Sequence, residues 1–255
     1  MWPWQRSRRA KVDLSNLVWD LHSHLVPGVD DGAQTIDDAL DMVGAMAQLG
    51  YRGMVLTPHV MADLYPNTPA TLLPAFEALK EAVAHSEWDM DLRLAAEYHL
   101  DQGFMELVDR DELLSFPCGM GNTSAKLVLM EFGFHQAPPE GMVKEAFFHL
   151  QTLGYTPVLA HCERYPYLHE DESLLELWHE RGGWMSVNAA SLSGAYGPET
   201  QDMAERCMGR GWVSFLCSDA HGMRHVRALD AVRSSEAVAR WMRSGDPKHL
   251  GLGPH

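Results

Sequence analysis

The residues best suited to chemistry are histidines and carboxylates that follow short apolar runs. The first run, residues 18–21, leads directly into His22 and His24. Because side chains alternate along an extended strand, these two imidazoles point to the same side and could bind one metal ion. The same arrangement recurs along the chain, and it adds these candidate ligands: Asp31, His59, Glu97, Glu131, His161, Asp219 and His221.

Imidazole and carboxylate ligands suit divalent ions such as manganese, iron, cobalt and zinc. Nine candidate ligands are too many for one ion and suit two or three ions, with a glutamate bridging between them. Adjacent ions about 3.5–4 Å apart stabilise the attacking and leaving oxygens of a phosphoryl displacement, and a bound water then has a pKa near ~7. The sequence therefore predicts hydrolysis of a phosphate ester by water, without a cysteine or serine nucleophile.

Two arginines near these ligands could bind a phosphate. Arg164 lies three residues beyond one candidate histidine, and its planar fork matches two phosphate oxygens. A salt bridge from Arg164 to Glu163 or Asp171 is the alternative interpretation. Arg224 is a second candidate for contact with the substrate, and its role stays open.

Several other polar residues fit the pattern less well. Asp30 is either a further ligand or the cap of a turn, and His99 is either a ligand or a side chain that faces outward. The remaining histidines, including His225, fit no pattern of strand ends. We interpret most of them as surface residues.

Strand-like and helical patterns alternate along the chain, which is typical of a parallel sheet. Polar candidates follow nearly every strand, as in a β/α barrel, and no glycine-rich phosphate turn of the kind found in open sheets is present. The sequence therefore predicts one α/β domain with a distorted (β/α)7 TIM-like barrel. The predicted strands are 18–21, 53–57, 92–96, 126–132, 156–160, 184–187 and 212–217. The predicted helices are 36–49, 69–85, 140–153, 172–181, 199–209 and 228–242.

The bulk composition argues against several classes of protein. A net charge of −15 disfavours general binding to DNA or RNA. Four scattered cysteines without a CxxC pair suit a reducing cytosol, and no segment approaches the ~20 apolar residues of a membrane helix. We expect a basic N-terminal tail over residues 1–14, the catalytic barrel over 15–245, and a C-terminal tail over 246–255.

The order of these motifs resembles the PHP (polymerase and histidinol phosphatase) superfamily, specifically its bacterial protein-tyrosine phosphatases of the CpsB/YwqE type. The combination of HSHxxPGxDDG with AHxERY is specific to that branch, and the resemblance spans roughly residues 15–235. Family members often read TPHH and AHPER where this chain reads TPHV and AHCER, and neither change removes a candidate ligand. The matching segments are DLHSHLVPGVDDGAQT (20–35), VLTPHV (55–60), AAEYHLD (95–101), LVLMEF (127–132), LAHCERYPYL (159–168) and CSDAHG (217–222).

The resemblance implies a distorted seven-stranded barrel and a three-metal site that is usually manganese-dependent. It implies that Arg164 binds the phosphate. Asp219 and His221 are further candidate catalytic residues, and either His221 or a metal-bound water could supply a proton to the leaving group. By position, the implied ligand sets are His22, His24, Glu97 and Asp219 for one ion, Glu97, Glu131 and His161 for a second, and Asp31, His59 and His221 for a third.

The implied substrate is phosphotyrosine on the tail of a bacterial tyrosine kinase that regulates capsule or exopolysaccharide export. Such a substrate implies a cytoplasmic enzyme, and it leaves open peripheral contact with the inner membrane through the kinase and assembly into a homo-oligomer. Three alternatives remain: a histidinol phosphatase or other small-phosphate monoesterase, a PHP exonuclease, and a metal-bound scaffold without turnover. The acidic charge disfavours the exonuclease, and the complete ligand set disfavours the scaffold.

Overall fold

The computed structural model describes residues 12–120 and 123–243. Within these ranges the chain forms ten strands and nine α-helices. The strands are β1 (Trp19–Asp20), β2 (Gly53–Leu56), β3 (His59–Val60), β4 (Asp91–Leu94), β5 (Glu97–His99), β6 (Phe116–Met120), β7 (Thr123–Glu131), β8 (Tyr155–Leu159), β9 (Trp184–Asn188) and β10 (Val213–Cys217). The helices are α1 (Ile36–Leu49), α2 (Pro69–Ala84), α3 (Gln102–Asp109), α4 (Glu140–Thr152), α5 (Pro166–Glu170), α6 (Ser173–Glu180), α7 (Pro198–Gly209), α8 (Met223–Val232) and α9 (Glu236–Arg243).

The strands form two sheets that the chain itself connects. One sheet has the order β1-β2-β4, and the other has the order β10-β9-β8-β7-β5-β3, with β6 antiparallel to β7. After a break of two residues, β2 continues as β3 and β4 continues as β5. A parallel bridge between Ser23 and Ala220 joins the segments that follow β1 and β10. The strands therefore follow one another in chain order around an interrupted ring, in agreement with the predicted distorted barrel.

Two apolar cores lie on the two faces of this ring. Val55 belongs to a small cluster, whereas its neighbours Met54 and Leu56 belong to a larger cluster that includes the helices. This alternation means that the parallel strands are buried on both faces. Phe116 from the β6–β7 hairpin also packs in the small cluster, so the hairpin contributes to the interior of the ring.

Local sequence signals fix the ends of α1, the helix that follows the first ligand-bearing loop. The hydroxyl of Thr35 accepts a hydrogen bond from the N–H of Asp38, and the Asp38 carboxylate accepts one from the N–H of Thr35. This capping box satisfies backbone donors that the helix leaves free. Gly50 ends the helix with a φ of 103°, and a Cβ there would lie 2.5 Å from the Cβ of Ser15.

The seven predicted strands are confirmed, although several are shorter than expected. Sequence reasoning missed β3, β5, β6, α3 and α5. Of these, β3 and β5 have only two and three residues, too few to show a period of their own. The prediction of one last helix over 228–242 is wrong, because the chain forms α8 and α9 with a break at residues 233–235.

The predicted tails lie mostly outside the described residues, which exclude 1–11 and 244–255. Residues 12–14 of the predicted N-terminal tail are described, and Val12 and Leu14 are buried in the larger core. Across the described ranges, no helix combines the length and the apolar character needed to cross a membrane.

Candidate metal and phosphate site

The predicted ligands meet at one end of the ring of strands. His22 and His24 follow β1, His59 and Glu97 begin β3 and β5, and Glu131 ends β7. Because parallel strands in a barrel end on the same side, residues far apart in sequence converge there. The remaining predicted ligands come from the segments after β8 and β10 and from the loop before α1: His161, Asp219, His221 and Asp31.

The first two histidines share their carboxylate neighbours. The Nε2 atoms of His22 and His24 lie 3.1 Å apart, and they lie 3.2 and 3.3 Å from Oε2 of Glu97. The same nitrogens lie 3.5 and 3.6 Å from Oδ1 of Asp219. All four side chains are buried, so these donor atoms face one another rather than water.

Glu97 also connects the first pair to a second group. Its Oε1 lies 2.9 Å from Nε2 of His161, and its Oε2 lies 3.1 Å from Nδ1 of His59. Glu131 approaches both of these imidazoles, with distances of 3.9 Å to His161 and 3.2 Å to His59. Glu97 therefore occupies the centre of the cluster, where a bridging carboxylate would have to lie.

Asp31 brings a third group together at the outer edge. Its Oδ1 lies 3.6 Å from Nε2 of His59 and 3.5 Å from Nε2 of His221. The ring of His221 stacks on that of His24, with centroids 3.8 Å apart. Asp31 is more than half exposed, so this group is the one most accessible from solvent.

The structure thus brings all nine predicted ligands into one cluster. Asp31, His59 and His221, which form the third implied ligand set, lie together in the structure, and His24 belongs to the same group. The members of the second implied set divide between two groups that share Glu97. The groups whose donor atoms lie within 4.8 Å of one another are His24, Asp31, His59 and His221; His22, His24 and Asp219; His22, Glu97 and His161; and His59, Glu97 and Glu131.

The donor set fits divalent cations. Oε2 of Glu97 and Oε1 of Glu131 are buried and have no hydrogen-bond partner among the described residues. Nδ1 of His59, which lies near both, also has none. A buried carboxylate oxygen without a partner is costly, and a bound cation would satisfy it. Coordination by these residues stays a prediction, but the donor set present is suited to it.

The backbone is strained at two of these positions. His161 has a φ of 32° and Asp219 a φ of 48°, in the left-handed region that residues with a Cβ seldom adopt. Each residue lies just beyond the end of a strand. Such strain persists where the surrounding structure holds a side chain in one required direction.

Asp30 makes hydrogen bonds to two of the candidate ligands and does not belong to the cluster of donor atoms itself. Its Oδ2 accepts hydrogen bonds from Nδ1 of His24 at 2.8 Å and from the backbone N–H of His59 at 3.0 Å, while Oδ1 accepts from the N–H of Gly32. Burial raises the pKa of Asp30, but the hydrogen bond and charge of His24 outweigh it and lower this pKa to about 2. The turn-cap interpretation of Asp30 is confirmed by the bond to Gly32.

Asp219 is held from two directions. Its Oδ2 accepts hydrogen bonds from Nδ2 of Asn188 at 2.7 Å and from Nη1 of Arg164 at 3.1 Å. Burial raises the pKa of Asp219, but the nearby His22 and His161 lower it well below its usual value. The carboxylate is therefore ionised, and its other oxygen, Oδ1, faces His22 and His24.

The hydrogen bonds of His221 define its tautomer. The carbonyl oxygen of Asp219 lies 3.0 Å from Nδ1 of His221 and can only accept, so Nδ1 carries the proton. Burial and the charge of His24 lower the pKa of His221 to about 4, which keeps the ring neutral near pH 7. Nε2 then has a free lone pair, which suits a metal ligand. The role of His221 as a proton donor stays a prediction.

A cavity of about 470 Å³ opens above this cluster. Arg164 lies on its wall, and the guanidinium is placed between two rings, 5.1 Å from the centroid of Phe134 and 4.4 Å from that of Tyr196. The alternative salt bridges of Arg164 are not observed: Glu163 instead accepts from the Asn188 N–H, and the Arg164 ion pair is with Asp219. The aromatic rings restrict the guanidinium to a plane that faces the cavity.

Arg224 and His225 also line the cavity. Arg224 is exposed, and its Nη2 lies 3.2 Å from Nε2 of His225. His225 is not one of the surface histidines, because this side chain is half-buried in the wall of the site. His99 is also half-buried, 3.9 Å from Glu131.

Sequence reasoning missed Phe134, Asn188, Tyr196 and His225 as parts of the site. Asn188 ends β9 and fits the strand-end rule, but sequence reasoning assigns it no role in the site. His225 lies one helical turn beyond His221, a spacing that also could have indicated it. Phe134 and Tyr196 lie in irregular segments, and no pattern in the sequence marks them.

Comparison with known proteins establishes the family. The family model described as capsular polysaccharide synthesis, CpsB/CapC, matches residues 18–246. The chain belongs to the CpsB/CapC family. This membership confirms the resemblance that the HSHxxPGxDDG and AHxERY motifs indicate.

Curated members of the CpsB/CapC family are similar along most of their length. The tyrosine-protein phosphatase YwqE of Bacillus subtilis (strain 168) is 29% identical over 205 residues, which cover 80% of this chain and 78% of that protein. The tyrosine-protein phosphatase CpsB of Streptococcus pneumoniae is 23% identical over 209 residues, which cover 80% of this chain and 83% of that protein.

Solved structures show the same architecture. One similar structure comes from a study of YwqE from Bacillus subtilis and CpsB from Streptococcus pneumoniae, which are described there as unique metal-dependent tyrosine phosphatases. It superimposes on this chain with a TM-score of 0.75 and 25% sequence identity. The match covers 93% of this chain and 96% of that one. A histidinol phosphate phosphatase from Lactococcus lactis shares the fold, with a TM-score of 0.52 and 13% identity. That match covers 84% of this chain and 92% of the other.

Proposed function

We propose that this chain hydrolyses phosphotyrosine in proteins, in a metal-dependent reaction. The observation that carries the proposal is the meeting of nine candidate ligands in one cluster, at the base of a cavity that Arg164 lines. Related YwqE and CpsB are named tyrosine-protein phosphatases, and the similar solved structure is described as metal-dependent. The described residues include no arginine placed six positions after a cysteine, as a thiol-based phosphatase loop would require.

We assign two or three divalent ions to the site, with manganese as the first choice and iron, cobalt or zinc as alternatives. When bound, these ions would supply Lewis acidity and a water of lowered pKa near the phosphorus. The residues that would hold them are His22, His24, Asp31, His59, Glu97, Glu131, His161, Asp219 and His221.

The chain's own residues would bind and orient the phosphoryl group. The guanidinium of Arg164 can donate two parallel hydrogen bonds to phosphoryl oxygens, and the rings of Phe134 and Tyr196 keep it directed at the cavity. As charge builds up on those oxygens, a fixed cation stabilises it more than a mobile one. The leaving phenolate has a conjugate acid with a pKa near ~10, so it departs with little help from a proton donor.

We further propose that the phosphotyrosine lies on the tail of a bacterial tyrosine kinase. The family is described by its part in capsular polysaccharide synthesis, and such a kinase would regulate that process. This substrate would place the enzyme in the cytoplasm, and at the inner membrane while it is bound to the kinase.

The test is turnover by protein that has been stripped with a chelator and then refilled with Mn²⁺. A phosphotyrosine peptide and histidinol phosphate serve as parallel substrates, with single-stranded DNA as a third. We expect metal-restored release of phosphate from the peptide alone. Hydrolysis of histidinol phosphate alone would indicate a phosphatase of small molecules. If the metal-loaded protein hydrolyses neither phosphate ester, the proposal is refuted.

The exposed residue His85 provides a matched control. His85 ends α2, away from the cavity, and its ring contacts only the carbonyl of Glu81 among the described hydrogen bonds. The substitution His85→Asn should leave both metal content and turnover unchanged. A loss of turnover in this control would mean that the assay reports general damage to the protein.

A further inference from the structure

His225 lies in the wall of the candidate site, in the first turn of α8. Its side chain lines the same cavity as Arg164 and Tyr196. Its ring meets that of His221 edge to face, with centroids 5.6 Å apart. The side chain is therefore next to the candidate ligands and half-buried, and none of the roles assigned above uses it.

A single hydrogen bond fixes the protonation pattern of this imidazole. The backbone N–H of His221 donates to Nδ1 of His225 at 3.0 Å. A backbone N–H can only donate, so Nδ1 must carry a lone pair, and the ring of a neutral histidine then carries its proton on Nε2. A flipped ring would place a carbon atom opposite that N–H and lose the bond.

The Nε2–H of His225 has no acceptor among the described residues in the wall of the cavity. Its described neighbour is Nη2 of Arg224 at 3.2 Å, and a guanidinium nitrogen can only donate. Two donors are thus directed at each other across a short distance. An anionic oxygen placed beside both would accept from each and resolve the mismatch.

We propose that the Nε2–H of His225 donates a hydrogen bond to an oxygen of the phosphoryl group of the substrate, beside the guanidinium of Arg224. This inference rests on the proposed function, because the cavity must accept a phosphate ester. It makes His225 a substrate-binding residue with a fixed tautomer. Arg164 and the pair of Arg224 and His225 would then contact the phosphoryl group from separate parts of the wall.

Two substitutions separate this role from a purely structural one. In His225→Asn, the amide oxygen can replace Nδ1 as the acceptor for the His221 N–H, but the Nε2–H donor is lost. In His225→Gln, an amide N–H can replace the Nε2–H donor, but the Nδ1 acceptor is lost. His85→Asn is the control for a histidine substitution outside the site.

Three quantities are measured for each manganese-loaded protein: kcat/KM for a phosphotyrosine peptide, the inhibition constant of inorganic phosphate, and the manganese content. We expect His225→Asn to weaken kcat/KM and phosphate inhibition by roughly 10-fold to 100-fold, as for a lost hydrogen bond to a charged group. We expect His225→Gln to retain most of both. Both variants should keep the manganese content and the melting temperature of the wild type.

The reverse pattern, an impaired Gln variant and a normal Asn variant, would show that His225 only holds the backbone of His221. An unchanged inhibition constant in His225→Asn, or a fall in manganese content that accounts for its lost activity, would also overturn the inference. If the wild type fails to hydrolyse the peptide, the proposed function is refuted. Calorimetric titration of inorganic phosphate into the same proteins would still decide whether His225 binds phosphate.

Discussion

The floor and the wall of the cavity are built in different ways. We define the floor as the buried candidate ligands at and beneath the base of the cavity, His22, His24, Glu97, His161 and Asp219, and the wall as Phe134, Arg164, Tyr196, Arg224 and His225. Every floor side chain is at most 3% exposed and lies at or just beyond the end of a strand. The Arg164 side chain, in contrast, is 28% exposed, and Phe134, Tyr196 and Arg224 lie in loops or at the start of a helix.

This difference indicates which part is fixed by the fold and which part can be adapted. Backbone hydrogen bonds between the segments that follow neighbouring strands, such as that from the Asp219 N–H to the His22 carbonyl, set the positions of the floor. The wall depends on side-chain contacts between irregular segments, which tolerate change more easily. We therefore expect floor substitutions to remove metal, and wall substitutions to weaken substrate binding while metal is retained.

The largest effect is expected for Asp219→Ala in the floor. The substitution removes a carboxylate that lies within 3.6 Å of both His22 and His24, and it leaves their nitrogens facing an apolar gap. Loss of an outer partner of a metal ligand already costs about 10–100-fold, so loss of a ligand should cost more than 100-fold in turnover. Metal content by elemental analysis should fall in parallel, and His161→Ala should behave in the same way.

Asp202→Ala is the control for this prediction. Asp202 is 68% exposed on α7 and pairs with Arg206 at the surface, where an ion pair contributes little. The control should keep full metal content and turnover. If Asp219→Ala or His161→Ala also keeps both, the assignment of that residue as a ligand is wrong.

An intermediate effect is expected for Arg164→Ala in the wall. Asn188 still donates to Asp219 in this variant, so the floor should keep its metal. Loss of two charge-assisted hydrogen bonds to phosphate should lower kcat/KM by roughly 10-fold to 1000-fold. Arg164→Lys should recover only part of the loss, because a lysine lacks the planar fork that fits between the rings.

Measurement of metal content together with steady-state kinetics tests the prediction for Arg164→Ala. Metal loss in Arg164→Ala would mean that the wall and the floor are not separate. In that case the contact between Arg164 and Asp219 would be needed to hold the ligand itself.

The last effect is on stability rather than on turnover, and it concerns Asp20, which lies beneath the floor. Its carboxylate accepts hydrogen bonds from the N–H and the hydroxyl of Ser218, and so it joins β1 to the segment that carries Asp219. Burial raises the pKa of Asp20 to about 6, and the bonds from Ser218 only partly offset this. The folded protein therefore prefers the protonated carboxyl more strongly than the unfolded chain does.

The sign of the pH dependence follows from that shift. The stabilisation from protonated Asp20 is complete below the unfolded pKa near ~3.9 and is lost as the pH rises through about 6. Asp20→Asn cannot ionise, so its stability relative to the wild type should rise by up to about 3 kcal/mol between pH 4 and pH 7. Urea unfolding of both metal-free proteins measures this difference, and parallel pH profiles would contradict the prediction.

The strand-end motifs are visible in the sequence because they combine two local signals. An apolar run identifies a strand, and the polar residue that follows it identifies the end of that strand, so His59, Glu97 and Glu131 can be grouped from the pattern of residue types alone. The capping box at Thr35 and the glycine at position 50 are equally local. For this reason the boundaries of α1 are predicted well.

The remaining features depend on contacts between segments that are distant in sequence. Strands β3 and β5 and the break between α8 and α9 are too brief to produce a period, and β6 is recognised only through its antiparallel pairing with β7. The stacking of Phe134 and Tyr196 on Arg164 joins residues from three short, separate segments, and none of these segments has a composition that marks it. The donor conflict between Arg224 and His225 emerges only when the tautomer is fixed by a backbone N–H.

The sequence by itself determined the chemical types of the ligands, the order of the strands that carry them and the family to which the chain belongs. These properties follow from residue identity and from local periodicity, which a single chain displays directly. Only the tertiary structure decided that Glu97 lies at the centre, that Asp30 supports His24, and that Arg164 pairs with Asp219. Such contacts arise because closure of the ring brings strand ends together, and closure is a property of the whole chain.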